Sequence, residues 1–352
     1  MDDSRSPIGR FKAFVDSIAR KGMNGKGEAA SYVPFDQIEA YWSSERIENI
    51  LQLSSNIPTF TAMEISHSYL KVFSILVLID QVDYQSEFLR RRVEDTNLPI
   101  DQKWPYKCSV SQFNDDVIPR FYETQWAFCP VVISMEMPTY EGELNPRAIL
   151  PFLDKQQVRR NDVATWSIAR IMNPREDSQK DGMIYVLLKE YPNSYYNLYQ
   201  QESKLLAALD RRHTKAMVRY YGSYSQVDTS TILLEYSTGH SLNELFNQEP
   251  PSRLYDVVAF WTSLAHVAEA LSCIHRQNIS EQGGPSKWSS MLYDMKPENV
   301  IWFREFSECL YCFKLSTDGY TNANQRVLSN VLSPRINDIH GSFRPRLSFT
   351  FV

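Results

Sequence analysis

The sequence predicts an α+β protein in which a mainly helical leader, residues 32–150, precedes a segment of short strands and long helices. Three observations predict it. In the leader, apolar residues recur at helical spacing, as at Ile47, Ile50 and Leu51. From Met183 to Tyr191 the pattern switches to period two, with Ile184, Val186 and Leu188 on one face and Tyr185, Leu187 and Lys189 on the other. Farther on, Tyr255 to His275 reads as the longest helix, with Val257, Trp261, Leu264, Ala268 and Leu271 on one stripe.

Composition supports a folded chain. Of 352 residues, 43% are hydrophobic and 13% aromatic, which excludes wholesale disorder. This length implies about two domains. A net charge of -5 argues against a protein that coats a nucleic-acid backbone. Five cysteines make no disulfide framework, so a reducing compartment is the default. The most apolar run, Val72 to Ile79, is far shorter than the roughly 20 residues that cross a bilayer. No secretory signal is legible at the start either, so the expected location is cytoplasmic or nuclear.

Residues 1–31 read as a flexible N-terminal segment. Within it Ile8, Phe11, Phe14, Val15 and Ile18 fall at the spacing of a short docking helix, and Gly22 to Gly27 is the clearest linker. Leu70 to Leu89 reads as one helix, apolar at its start and closing on Arg90, Arg91 and Arg92. With Glu94 and Asp95 next, that triplet is a solvated helix end rather than an anion site. Trp104-Pro105 and the stretch from Pro130 to Pro151 read as extended connections.

The chemistry begins at Lys189, which ends an otherwise apolar strand. The next segment is a helix with Leu198, Leu205, Leu206 and Leu209 on one stripe, and Glu202 falls on that same apolar face. A lone carboxylate there is costly and needs a cation, and Lys189 is the nearest in sequence. Two more β-like runs follow, Ala216 to Tyr224 and Thr231 to Tyr236, around a polar turn at Gln226 to Ser230. The chain then turns at Ser237-Thr238-Gly239, and a helix begins near Ser241.

The strongest local motif is Asp294-Met-Lys296-Pro-Glu-Asn299, just before the apolar run Val300-Ile301-Trp302-Phe303. Phosphoryl transfer explains each residue type. An Asp accepts the proton of an attacking hydroxyl, a Lys neutralises the γ-phosphate, and an Asn is a neutral oxygen ligand for magnesium.

On these residues the sequence resembles the eukaryotic protein kinase family, and Lys296 makes it similar to the Ser/Thr branch. The resemblance covers about residues 150–320. It implies a two-lobed fold over residues 151–352, with a small lobe at about 151–238 and a partial large lobe at about 239–352. It implies ATP and Mg2+ as cofactors and a protein substrate or scaffold partner. It matches Lys189 and Glu202 to the small-lobe ion pair, Glu235, Tyr236 and Ser237 to the adenine-holding hinge, and Leu234 to the gatekeeper. Asp294, Lys296 and Asn299 match the catalytic loop. The front part, with Phe73 to Ile79, Leu98-Pro-Ile100 and Phe121 to Phe128, is similar to the leader region preceding kinase-like domains in filamentous-fungal proteins.

The sequence also departs from that pattern. The stretch Val158 to Ile171, where a glycine-rich loop belongs, holds no glycine, although Arg159 and Arg160 bring charge. Leu292-Tyr293 stands where the family has His-Arg before the catalytic Asp. Thr317-Asp318-Gly319 stands where Asp-Phe-Gly holds magnesium, and a hydroxyl is a poor ligand for a hard dication. No Ala-Pro-Glu follows Gly319, so the chain reads as a kinase-like domain ending inside its activation segment. The expectation is a pseudokinase with weak nucleotide binding or none; the alternative is an active Ser/Thr kinase with Asp294 as base. Cys309 and Cys312 are spaced like half a zinc site, but a second pair is missing nearby.

Overall fold

The computed structural model describes residues 6–54, 61–101, 116–133, 143–172, 183–210, 216–275, 296–303 and 311–316. They form an α+β protein of two compact units. The first is Met1–Thr214 with Val218–Tyr236, and the second is Lys215–Met217 with Ser237–Val352.

The first unit opens with α1 (Pro7–Ile18). Ser6 caps it by accepting from the Gly9 amide at 2.9 Å, and Pro7 takes the first position, where a missing N–H costs nothing. Its Phe11 and Val15 are buried, as the helical spacing required. The expected linker is instead the turn of a hairpin, β1 (Arg20–Met23) against β2 (Ala29–Tyr32). Asn24 Oδ1 accepts from the Lys26 and Glu28 amides inside that turn, and Gly27 supplies the positive φ of 77°. Residues 6–31 are therefore folded, which corrects the reading of a flexible segment.

Among the described residues, five helices follow in the leader before its last: α2 (Phe35–Tyr41), α3 (Ser44–Leu51), α4 (Ala62–Ser68), α5 (Leu70–Leu78) and α6 (Gln85–Arg90). The last is α7 (Val117–Phe128). α5 is buried at every position from Val72 to Val77. Its first amides, on Lys71 and Val72, are capped from a distance by the Asp95 carboxylate at 2.9–3.0 Å. The single helix expected from Leu70 to Leu89 is broken, because Asp80 takes φ 58° and a right-handed helix cannot run through that conformation. At the end of α6, Arg90 and Arg91 both pair with Glu87. Trp104-Pro105 lies outside the described residues.

The sheet comes next: β3 (Glu143–Leu144), β4 (Leu153–Arg160), β5 (Thr165–Met172), β6 (Met183–Pro192), then, after α8 (Tyr196–Asp210), β7 (Tyr220–Gln226) and β8 (Thr229–Glu235). The spatial order is β3-β7-β8-β6-β5-β4, antiparallel except for β3 on β7. β7 starts four residues later than the sequence predicts, and its hairpin turn narrows to Val227-Asp228.

Both faces of this sheet are covered. Ala169, Ile171, Val186, Leu188 and Leu233 share one core with leader residues such as Phe73, Ile75 and Phe121. The other face carries Trp166, Ile168, Leu187 and Lys189, and α8 lies over it. The strands and leader thus fold as one body where the sequence reading set a boundary at 150. Gln226 ties them further, its amide donating to the carbonyls of Asn145 and Ala148.

The second unit holds α9 (Leu242–Leu245), α10 (Leu254–His275), and the antiparallel pair β9 (Val300–Trp302) and β10 (Phe313–Leu315). α9 begins on a capping box formed by Ser241 and Glu244. α10 buries Ser263, Val267 and Ala270, with Ser263 Oγ accepting from the Phe313 amide at 2.7 Å. The expected stripe is therefore rotated. Trp261 is 64% exposed, as are Leu254 at 80% and Val258 at 55%. Both sides of this helix are apolar, so periodicity alone does not choose between them. No described helix is long and apolar enough to cross a membrane.

Two outcomes follow from this packing. A chain beginning at residue 151 exposes the sheet face that Val186, Leu188 and Leu233 share with the leader, and should lose its cooperative melt in calorimetry; a sharp melt at the full-length temperature would contradict the shared core. Burial also pushes the Cys129 thiol up to about 11, from about 9. The folded chain then keeps a proton that the unfolded chain loses, so this contribution is complete below about pH 9 and is lost as pH rises through about 11. Site-resolved alkylation should find Cys129 inert at pH 8 until denaturant is added.

Candidate functional site

The site in the first unit is built on one row across the sheet. Arg159 of β4 stands opposite Trp166 of β5, Trp166 opposite Lys189 of β6, Lys189 opposite Ile232 of β8, and Ile232 opposite Ser223 of β7. Helix α8 crosses this row, with Tyr199, Glu202, Ser203, Leu205 and Leu206 buried toward the sheet. The period-two strand and the 3.6-period helix therefore meet at the residues that the sequence paired.

Lys189 Nζ donates to Glu202 Oε1 at 3.0 Å and Oε2 at 2.7 Å. Its side chain is 4% exposed and that of Glu202 is 0% exposed. Tyr191, two residues on and so on the same face, donates its hydroxyl to Glu202 Oε2 as well. The ammonium also lies 5.0 Å from the Tyr191 ring centroid and 5.6 Å from that of Trp166. Burial lowers the Lys189 pKa from the usual lysine range, and the Glu202 carboxylate opposes that shift. The Tyr191 hydroxyl is raised far above the usual tyrosine range, by burial first and by the Glu202 charge second, so it stays a donor.

The β4–β5 connection is closed by one of its own side chains. Asn161 Oδ1 accepts from the amides of Val163 at 2.9 Å and Ala164 at 2.8 Å, and the Asn161 amide donates to the Ala164 carbonyl. Two backbone donors at the tip of the turn are thus engaged by a side chain of the same turn. Arg159 lies 4.9 Å over the Trp166 ring, and Arg160 is exposed.

Glu235 of the implied hinge ends β8 in this unit, preceded by Leu234, the implied gatekeeper. The Glu235 amide donates to the Arg219 carbonyl, and its carboxylate accepts from the Arg219 amide at 3.0 Å. Leu234 is buried beside Leu187.

In the second unit, Ser237 Oγ donates to the Trp302 carbonyl at 2.8 Å and accepts from the Gly239 amide. Gly239 is required here, because a Cβ would fall 1.7 Å from the Trp302 carbonyl oxygen. Lys296 is exposed and stands before a 3₁₀ turn, Pro297–Asn299, that leads into β9. Asn299 is buried, and its carbonyl accepts from the Ser316 amide at 2.8 Å. Asp294, Thr317 and Cys309 lie outside the described residues. Among the described residues, no group of three His, Cys, Asp or Glu side chains could hold a metal.

Sequence reasoning missed Trp166, Tyr191 and Asn161. Period two from Lys189 points directly to Tyr191, whereas Trp166 needs the β5–β6 register, which no local pattern states. Comparison with protein-family models and with curated proteins finds no match.

Removing either charge of the pair strands the other in the core, at a cost of about 3–5 kcal/mol. Lys189→Met and Glu202→Leu alone should each show that loss in urea unfolding. The double variant should be less destabilised than their sum, and full additivity would contradict the pairing.

Proposed function

We propose that this is a protein-kinase-like domain protein that keeps the family's ion pair as a structural element and works as a binding or scaffold module, a pseudokinase, rather than as a phosphotransferase. One observation carries the reading: Lys189 on a strand and Glu202 on the following helix form a buried pair, as the resemblance implies, yet the lysine is sealed by Tyr191 and Trp166. A strand lysine held by a helix glutamate is the device that readies a lysine for phosphate oxygens. Here its ammonium bonds both oxygens of a buried carboxylate and lies against two aromatic rings.

The surrounding residues fit MgATP poorly. A phosphate cradle needs backbone amides open to the ligand, and those of Val163 and Ala164 are given to Asn161. Thr317 is a weak substitute for a magnesium carboxylate.

The second reading, an active Ser/Thr kinase, rests on the sequence Asp294-Met-Lys296-Pro-Glu-Asn299. In it Asp294 is the base, Lys296 meets phosphate, and Asn299 binds magnesium.

Two measurements separate the readings. The melting temperature of the full chain should not rise with saturating MgATP relative to magnesium alone, and no labelled phosphate should enter a generic basic protein. The variant Thr317→Asp with Asp318→Phe should not restore transfer, because the closed β4–β5 turn remains. Transfer by the unmodified chain, lost in Asp294→Asn, would overturn the pseudokinase reading; loss of a positioned general base costs about 10²- to 10⁴-fold.

A further inference from the structure

Glu202 is followed on α8 by Ser203, which is equally buried. Ser203 Oγ lies 2.6 Å from Ser223 Oγ and 3.0 Å from the Tyr220 hydroxyl, and Tyr220 donates to Ser223 Oγ at 2.9 Å. Three hydroxyls in a closed ring can each donate once and accept once, so the ring satisfies itself without water.

The location of this ring matters. Ser223 and Lys189 belong to the same row of the sheet, separated by Ile232 of β8. Strands stand about 4.8 Å apart, so the two contacts are about 10 Å apart. Adjacent residues of one helix thus reach two separate strands, Glu202 to β6 and Ser203 to β7. A helix held at one point can roll about its axis. Held at two points on opposite sides of Ile232, it cannot roll Glu202 away from Lys189 without opening a buried hydroxyl ring.

We infer that Ser203, with Tyr220 and Ser223, is a positioning element that pins α8 so that the Lys189–Glu202 pair is permanently closed rather than switchable. The inference rests on the proposed reading for the purpose of the pair, and on geometry alone for its fixation. It explains why the pair is sealed: a contact that never opens needs no solvent path to its lysine.

The test is acylation of lysine amines in the full chain by a water-soluble N-hydroxysuccinimide ester, resolved residue by residue by mass spectrometry. Exposed Lys204, on the same helix, is the internal reference. Wild-type Lys189 should react far more slowly than Lys204. Ser203→Ala, and independently Tyr220→Phe should the first fail to fold, should speed Lys189 acylation about tenfold relative to Lys204, the scale of one buried hydrogen bond. Ser203→Thr, which returns the hydroxyl, should restore protection; a general loss of packing would not be rescued this way. Slow Lys189 acylation in the wild type and unchanged in both folded variants would overturn the pinning while leaving the pair, and the reading built on it, intact. Wild-type Lys189 as reactive as Lys204 would remove the buried pair itself and both inferences with it.

Discussion

A carboxylate with no exposed surface must be compensated, and Glu202 organises its surroundings by that demand. Lys189 supplies the charge, and Tyr191 supplies a hydrogen bond to an oxygen the lysine already shares. Once those three are placed, the spacing of β6 and α8 is set to within a hydrogen bond. Strand β5 follows, because Trp166 closes the box from the neighbouring strand. Buried ion pairs rarely add net stability over an apolar core, but they discriminate sharply among packings, since a slipped register strands a charge. In this chain a one-residue slip of β6 would put Lys189 on the leader's face and leave Glu202 alone.

That second face explains why the leader and the strands fold as one body. A sheet with apolar residues on both faces has to bury both, and α8 covers only one. Leader helices cover the other, among them α5, buried at every position from Val72 to Val77. The continuity runs through backbone as well as side chains: β3, at Glu143 and Leu144 of the leader, pairs with β7 at Ser225 and Gln226. The sheet is therefore dependent on residues that carry none of the proposed chemistry.

The second unit shows close backbone docking around β9. Gly239 packs against the Trp302 carbonyl, the Trp302 amide donates to the His240 carbonyl, and the Leu315 amide to that of Ala216. These contacts hold Asn299 at the start of β9. The exposed apolar side of α10 follows from a helix that is hydrophobic on more than one face, of which one side, with Phe260, Ser263, Val267 and Ala270, meets β10 and its neighbours.

By itself the sequence determined the α+β class, the helical face of α1, the run of β6, and the meeting of Lys189 with Glu202. Each rests on a local period or on the cost of an unpaired charge, and neither needs distant residues. It also carried the Asp294-to-Asn299 motif and the glycine-free stretch at Val158 to Ile171. Only the tertiary structure decided that Gly22 to Gly27 turns a hairpin, that Asp80 breaks the helix after Leu78, and that α10 buries Ser263 instead of Trp261. The same holds for Trp166 over Lys189 and for the ring of Ser203, Tyr220 and Ser223. Those outcomes depend on which strands are neighbours and which of two apolar faces finds a partner. Strand register and helix rotation are fixed by contacts between residues far apart in the chain, and local periodicity carries no information about them.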